Sequence, residues 1–391
     1  MFSNNQSGSL VTSILPPSVM TKLTAEYAQN QPGAAMLWRA RGSLIHEQWL
    51  KRWLPPVSPA KSMMQMVLPR SEAKAMVDWI AREANLDNQA VGAVFCTNSD
   101  NFFFGADFAR PAQPPKVDIQ PEATQKEQLH AIYCIVSTKQ SDRVCKAAID
   151  AGAHGPIVHF SEGRGLRDRL GWLRITKEQY KEVLMVLCDE DSLDRTFNAM
   201  ARAGEVHLPG RGFMYQTDVE HGIFNFPSRA APTHHEASLQ QIVAAIDSLQ
   251  GHQHWRDTSV FQVGGQGQAI GVQANPKFVT KPNQHRLYAM VAAEQLTPFV
   301  DLLLENGAPG LNFTRGRKLG DKLGGLTDES QLNAEYAIVR SIADEETSLR
   351  LAEVIEQSSA AAGVGDICVT INPVNKVATY IPGRVDYRRS A

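Results

Sequence analysis

The feature that most constrains this chain is a single pattern of secondary structure that recurs three times along its 391 residues. The pattern is clearest in the second segment (residues 128–226), where apolar runs of strand character alternate with two amphipathic stretches of helical spacing. Its predicted order is strand, helix, strand, strand, helix, strand, at residues 130–138, 140–153, 155–165, 180–190, 191–204 and 210–219. Asp191 or Ser192 is expected to cap the second helix at its start, and Gly204 to end it.

The same order is expected in the third segment (residues 284–391) and, more faintly, in the first segment (residues 1–105). In the third segment the predicted elements lie at 285–293, 296–310, 311–318, 334–344, 345–363 and 366–374. In the first segment they lie at 8–17, 18–33, 34–43, 61–70, 71–86 and 91–98, with an insertion at 44–60. The stretches "IDAGAHGPIVHF" and "LENGAPGLNF" occupy corresponding places and are visibly alike, which favours an internal repeat.

The order βαββαβ is that of a ferredoxin-like unit, so the predicted fold class is α+β with three such domains. The proline- and glutamine-rich residues 106–127 are predicted to be an extended linker. Residues 227–283 are predicted to be a second linker that contains one helix at 235–250. Each unit leaves one sheet face to be covered. The three could therefore face inward around a pseudo-threefold axis, or they could lie independently in series. We expect the intrachain pseudo-trimer, because closed symmetry is the usual solution for such subunits.

Composition excludes several classes of function. The net charge of −2 argues against a general nucleic-acid binder, and no apolar run approaches the length of a membrane-spanning helix. The N-terminal residues lack the pattern of a secretory signal. The five cysteines are odd in number, scattered and without a CxxC pair, which indicates buried thiols in a reducing, cytoplasmic protein: Cys96, Cys134, Cys145, Cys188 and Cys368. No metal site is predicted, because the histidines at 234, 235, 252 and 254 have no cysteine to complete a tetrahedral set.

Two glycine-bearing turns in the second segment are candidate phosphate sites. "HFSEGRGLRD" supplies Gly163 and Gly165, and "AGEVHLPGRGF" supplies a second group of glycines, Gly204, Gly210 and Gly212. Successive backbone N–H groups in such a turn can surround an anion, and Arg211 would add the bidentate geometry that guanidinium offers to phosphate. The alternative is an ordinary turn at the start of a strand, with a solvated arginine.

A basic cluster follows the second strand in each of the three segments. The candidate residues in these clusters are Arg39 and Arg41, Arg164 and Arg167, and Arg315, Gly316 and Arg317. Three such turns could face three clefts between domains. They could equally be charged turns exposed to solvent, and the residues alone leave both interpretations open. The C-terminal arginines of "IPGRVDYRRSA" could fold back to a cleft or form a loose basic tail.

On these turns the second segment resembles the PII-type nitrogen-regulatory signal proteins and their PII-like relatives. That family has a Gly-x-Gly turn after the second strand and a glycine-rich phosphate loop before the last strand, as in "EGRG" and "PGRGF" here. The third segment keeps Gly363 and Gly365 in "AAGVGDICVTI". The resemblance implies ferredoxin-like subunits that bind adenylyl nucleotides in the clefts between them, and it extends over three tandem copies of unequal strength.

The resemblance implies a cytoplasmic regulatory protein for signal transduction in nitrogen regulation, rather than an enzyme. Its expected ligand is ATP, ADP, AMP or a related nucleotide, and no cofactor is required. The expected partner is a regulated transporter or enzyme, and the pseudo-trimer is expected to be a monomeric chain. The alternative is an adaptor that keeps the trimer shape without a ligand and docks through the tryptophan-bearing residues 44–54. A third hypothesis, an enzyme with a dispersed site, has no residue constellation behind it.

Overall fold

Each segment forms the expected strands and helices in the expected order. The computed structural model describes residues 6–30, 35–42, 60–86, 92–105, 128–165, 180–208, 210–225, 284–319, 336–361 and 366–379. Residues Met1–Phe226 and Val279–Ala391 form one compact unit, so all three segments belong to it. The predicted linker at 106–127, the helix at 235–250 and the insertion at 44–60 lie outside or almost wholly outside the described residues.

The elements are numbered in chain order. The first segment contains β1 (Gln6–Leu15), α1 (Pro17–Asn30), β2 (Ala35–Gly42), β3 (Ala60–Pro69), α2 (Arg70–Glu83) and β4 (Gly92–Phe104). The second contains β5 (Leu129–Ser137), α3 (Ser141–Asp150), β6 (His154–Gly165), β7 (Tyr180–Asp189), α4 (Glu190–Ala203), β8 (Gly212–Asp218) and β9 (His221–Asn225). The third contains β10 (Gln284–Ala292), a 3₁₀ turn (Ala293–Gln295), α5 (Leu296–Glu305), β11 (Gly310–Leu319), β12 (Tyr336–Asp344), α6 (Glu345–Ala361), β13 (Ile367–Val374) and β14 (Lys376–Thr379).

The four main strands of each segment pair in one common order, which is fourth, first, third, second. The order is β4-β1-β3-β2 in the first segment, β8-β5-β7-β6 in the second and β13-β10-β12-β11 in the third. Every pairing is antiparallel. The shared order and the register of each pair together define equivalent positions in the three segments. Residues directly opposite one another in an antiparallel pair project to the same face of the sheet.

The three second strands also pair with one another across the segments. Arg41 of β2 lies opposite Val158 of β6, and Phe313 of β11 lies opposite Glu162 of β6. Leu319 at the end of β11 lies opposite Ala35 of β2. Because each second strand contacts the other two, the pairing among segments closes on itself.

The chain that follows each fourth strand gives a second closed set of contacts. The end of β4 pairs with β13 of the third segment, β9 pairs with β4 of the first, and β14 pairs with β8 of the second. Sequence reasoning missed β9 and β14, because these short strands lack an alternating pattern and gain their hydrogen bonds from another segment.

The helices cover one face of each sheet, as the spacing of their apolar residues requires. In α2, Ala73, Met76, Val77 and Ile80 are buried at the i, i+3, i+4, i+7 spacing of one helical face. They pack in a cluster with residues of the first sheet, and α5 and α6 pack on the third sheet in the same way. The opposite sheet faces share a core cluster to which all three segments contribute.

Several local expectations are resolved. The capping prediction for α4 was wrong: its N-cap is Asp189, without a side-chain capping bond, and Ser192 Oγ instead donates to the Asp189 carbonyl at 3.1 Å. All five cysteines are buried free thiols, as expected. Burial raises the pKa of Cys96 to about 12. None of the described helices is long and apolar enough to cross a membrane.

Candidate functional site

A groove of about 640 Å³ opens between the second and third segments. The second segment contributes Phe160, Ser161 and Glu162 of β6, Tyr180 of β7 and Thr138 beyond the end of β5. The third segment contributes Phe313 and Arg315 of β11. The groove exists because β11 pairs with the end of β6, which places the side chains of the two strands side by side.

The groove presents two aromatic side chains to solvent. Phe160 is 70% exposed and Tyr180 is 67% exposed, which makes them the two most exposed large hydrophobic residues in the described part of the chain. Tyr180 lies opposite Glu162 in the β6–β7 register, and Phe160 lies two residues before Glu162, so the three side chains share one sheet face. Exposed aromatic surface rimmed by polar groups is typical of an interaction or ligand-binding site.

One ion pair crosses the groove from segment to segment. Arg315 Nε donates to Glu162 Oε1 at 3.1 Å, and the Arg315 guanidinium lies 5.8 Å from the centre of the Phe313 ring. The side chain of Arg315 is 47% exposed, so its remaining N–H groups have access to solvent. Arg315 is therefore the predicted site residue that the structure places in the groove.

Arg41 joins the first segment to the second. Its Nη2 donates to Asp142 at 3.0 Å, to Glu182 at 3.4 Å and to Ser141 Oγ at 3.1 Å. Burial by itself lowers the pKa of Arg41, but the hydrogen bond and charge of Asp142 and the charge of Glu182 outweigh it and leave that pKa raised. Arg41 is thus held by carboxylates of its neighbour.

The other predicted basic residues are dispersed. Arg164 of β6 lies 3.4 Å from Asp301 of α5, a further contact between the second and third segments. Gly163 and Gly165 form part of β6 and lie opposite β11, so they belong to a paired strand and not to an open turn. Arg39 of β2 and Arg317 of β11 are not among the residues that line the groove. Gly316 is packed against Leu37 of β2, and Arg167, Gly363 and Gly365 lie outside the described residues.

The second glycine turn, at 204–212, is organised by a residue that sequence reasoning did not single out. Glu205 adopts a left-handed backbone conformation with φ 51°, and its carboxylate lies 3.3 Å from Arg211 Nε and 3.2 Å from Arg143 Nη2. Gln140 Nε2 donates to the same carboxylate at 3.5 Å. Arg211 is therefore engaged by its own turn, and an anion at this turn would compete with Glu205.

Two glycines of this turn have positive φ angles. Gly210 has φ 70° and Gly212 has φ 148°. A Cβ atom on Gly212 would lie 1.8 Å from the carbonyl oxygen of Ile135, so a side chain cannot be placed there without moving β5 or β8. Gly204 sits at the C-cap of α4 with an ordinary helical φ of −78°. The close approach of strands accounts for Gly212 without any ligand.

A buried polar contact lies where the three second strands meet. Trp38, His159 and Thr314 occupy equivalent positions on β2, β6 and β11, opposite Met63, Val183 and Ile338. Thr314 Oγ1 lies 3.4 Å from His159 Nδ1, and Arg340 Nη1 donates to Thr314 Oγ1 at 3.1 Å. Burial and, to a smaller extent, the charge of Arg340 lower the pKa of His159 to about 3, so this imidazole is neutral.

The two exposed aromatic residues of the groove were not predicted from the sequence. Phe160 and Tyr180 fall inside the predicted strands 155–165 and 180–190, and nothing in the strand pattern marks either side chain as exposed. Among the described residues, no group of three His, Cys, Asp or Glu side chains is arranged to hold a metal ion. Comparison with known proteins finds no matching family model and no significant match among curated proteins.

Proposed function

We propose that this chain is a PII-like regulatory protein that binds an adenylyl nucleotide, or a similar planar anionic metabolite, in the groove between its second and third segments. The observation that carries the proposal is the groove itself, which combines two exposed aromatic rings with an accessible guanidinium. We further propose that the three segments are ferredoxin-like domains closed as an intrachain pseudo-trimer.

The common strand order of the segments supports the domain proposal, because fourth-first-third-second is the order of a ferredoxin-like sheet. The mutual pairing of β2, β6 and β11 supports the pseudo-trimer, as does the cyclic pairing of the chain beyond each fourth strand. In such an arrangement a ligand bound in a cleft contacts both of the domains that form the cleft, so its binding affects more than one domain.

The chemistry of the groove suits a ligand with a flat ring and a phosphate. Phe160 and Tyr180 offer ring faces on which a base can stack, a contact that contributes about 1–3 kcal/mol per base in proteins that bind nucleobases. Arg315 offers the fork of N–H donors that matches phosphate oxygens. A ligand phosphate would compete with Glu162 for this guanidinium.

That competition suggests how binding could be signalled. The Arg315–Glu162 pair joins β11 to β6, so a phosphate that takes up Arg315 would release Glu162 and alter the contact between two segments. A ligand shifts a conformational equilibrium only by its differential affinity for two states, and this pair supplies such a difference. The regulated partner, a transporter or an enzyme, would then respond to the changed surface.

A second candidate is a structural adaptor that keeps the architecture and binds no small ligand. It is favoured by the pairing of the predicted basic residues with carboxylates: Arg41 with Asp142 and Glu182, Arg164 with Asp301, and Arg211 with Glu205. In this view the basic clusters evolved to hold the segments together, and the groove receives a partner protein.

Isothermal titration calorimetry of the full chain with ATP, ADP, AMP and cyclic AMP separates the two candidates. The nucleotide proposal predicts a saturable heat with at least one of them, and at least tenfold weaker binding after Arg315→Gln. The matched control is Arg70→Gln, which removes an exposed arginine of the Arg70–Glu220 pair away from the groove and should leave binding unchanged. Absence of heat with all four nucleotides, in protein shown to be folded, would support the adaptor.

A further inference from the structure

Two arginines are buried inside the third segment, on the sheet face that the three segments share. Arg286 of β10 is 1% exposed and Arg340 of β12 is 2% exposed. Arg286 lies opposite Asn372, and Arg340 lies opposite Tyr288, a member of the shared core cluster. The groove and the glycine turns make no use of either side chain.

Within the described residues, each of these two cations makes one side-chain hydrogen bond that the geometry defines. Arg286 Nε donates to Asn372 Oδ1 at 3.2 Å, and its guanidinium lies 6.0 Å from the centre of the Tyr215 ring in the second segment. Arg340 Nη1 donates to Thr314 Oγ1 at 3.1 Å, and its guanidinium lies 5.8 Å from the Tyr288 ring centre. Arg286 Nη2 is buried and has no hydrogen-bond partner in the described part of the chain.

No carboxylate in the described interior balances this charge. Among the buried residues that the structure describes, Glu182 is the only one with an acidic side chain, and this side chain is paired with Arg41. An arginine stays protonated in proteins, so both guanidinium groups remain charged where they are. A buried charge is normally paired, because an isolated one loses its hydration without compensation.

The first and second segments carry threonine hydroxyls at the position equivalent to Asn372, which lies opposite Arg286. The register aligns Arg286 and Asn372 with Ala131 and Thr217 in the second segment and with Leu10 and Thr97 in the first. Thr97 Oγ1 and Thr217 Oγ1 are buried and, within the described residues, also without hydrogen-bond partners. One guanidinium and two hydroxyls, all able to donate, therefore belong to equivalent strand pairs on the sheet faces that the three segments share.

We infer that this interior holds a small monovalent inorganic anion, such as chloride or nitrate, bound by Arg286 Nη2 and supported by the threonine hydroxyls of the neighbouring segments. A monovalent anion fits better than a phosphate, because desolvation of a multiply charged ion costs more in a sealed interior. The site is separate from the groove and does not depend on the proposed nucleotide binding. Its anion would tie the three segments together.

The test is the thermal midpoint of the full chain in sodium gluconate that is replaced stepwise by sodium chloride, bromide or nitrate at constant ionic strength. Because a ligand of the native state raises the midpoint with its concentration, we expect the midpoint to rise with at least one of the three small anions. Arg286→Leu, which introduces the residue found at the equivalent Leu10, should abolish this dependence. The exposed control Arg70→Leu should retain it.

A second measurement does not require the variant to fold. Crystals of the wild-type chain grown in sodium bromide should show an anomalous peak within hydrogen-bonding distance of Arg286 Nη2. Midpoints that stay constant across all three anion series would overturn the inference. So would the absence of a bromide peak at Arg286, or a dependence that persists unchanged in folded Arg286→Leu.

Discussion

The rings of Trp38 and His159 meet edge to face, with their centres 5.6 Å apart and their planes at 71°. The two residues occupy the same position on the second strands of two different segments, and Thr314 of the third segment completes the set. Equivalent side chains of three segments therefore contact one another in a buried place. This contact supports the account in which the segments are domains of one closed assembly.

His159 makes the stability of the protein depend on pH. Burial lowers the pKa of His159 from its ordinary 6.5 to about 3 in the native state, so between these pH values the unfolded chain binds a proton that the native state does not. The contribution of neutral His159 to the free energy of unfolding is therefore complete above about pH 6.5 and is lost progressively as the pH falls toward 3. At pH 5 the loss should be about 2 kcal/mol, from ~1.4 kcal/mol per pH unit.

Urea unfolding at pH 7 and pH 5 measures this effect. The variant His159→Gln removes the titrating group, so it should show about 2 kcal/mol less acid destabilisation than the wild type. The same difference between pH 7 and pH 5 in both proteins would show that His159 is protonated in the native state, contrary to its burial beside Arg340.

The two kinds of glycine in the predicted turns should respond differently to alanine. Gly212→Ala places a Cβ 1.8 Å from Ile135 O and should destabilise the protein by about 2–3 kcal/mol. Gly165→Ala meets no atom within 4 Å and should change stability by less than about 0.5 kcal/mol. Chemical denaturation of both variants checks this, and equal losses would contradict the structural assignment of Gly212.

The ion pair between Arg41 and Glu182 should stabilise the contact between the first and second segments. Arg41→Met leaves the buried Glu182 carboxylate without its cation and should cost about 2 kcal/mol. The double variant Arg41→Met/Glu182→Gln should recover part of this loss, because the uncompensated charge is then gone. Strict additivity in the double-mutant cycle would show that the two side chains do not interact.

An exposed pair provides the control for that cycle. Lys146 and Asp150 are paired within α3 on the surface, so Lys146→Ala should cost no more than about 0.5 kcal/mol. A loss as large as that of Arg41→Met would indicate that burial of the partner carboxylate does not determine the cost.

The sequence allowed the elements of each segment to be predicted to within a few residues, because a strand or helix that is buried on one face carries apolar residues at a regular spacing. The exceptions are β4, which continues to Phe104 beyond the predicted end at 98, and α5, which ends at Glu305 before the predicted end at 310. It did not allow β9 or β14 to be found, since their hydrogen bonds come from another segment. The glycine turn at 204–212 was located, whereas the predicted turn at Gly163 and Gly165 is part of the paired strand β6. Glu205 and Glu162, which engage Arg211 and Arg315, lie within the quoted stretches, and only geometry pairs them. Arg286 was overlooked because an arginine inside a strand looks like a solvent-facing residue.

Phe160 and Tyr180 should matter for binding and little for folding. Since both side chains are largely exposed, Phe160→Ser and Tyr180→Ser should each change the unfolding free energy by less than about 0.5 kcal/mol. Loss of a stacking contact worth about 1.4 kcal/mol would weaken nucleotide binding roughly tenfold. Calorimetry and denaturation on the same preparations check both parts. Unchanged affinity in both folded variants would place the ligand elsewhere.

The most direct test of the central claim is a crystal structure of the full chain grown with a saturating concentration of the nucleotide that gives the largest heat, or with ATP if none does. Nucleotide binding in the groove predicts density there, with a base against Phe160 or Tyr180 and a phosphate within hydrogen-bonding distance of Arg315. Nucleotide bound instead beside Arg211, or a groove without nucleotide in well-ordered crystals, would contradict it.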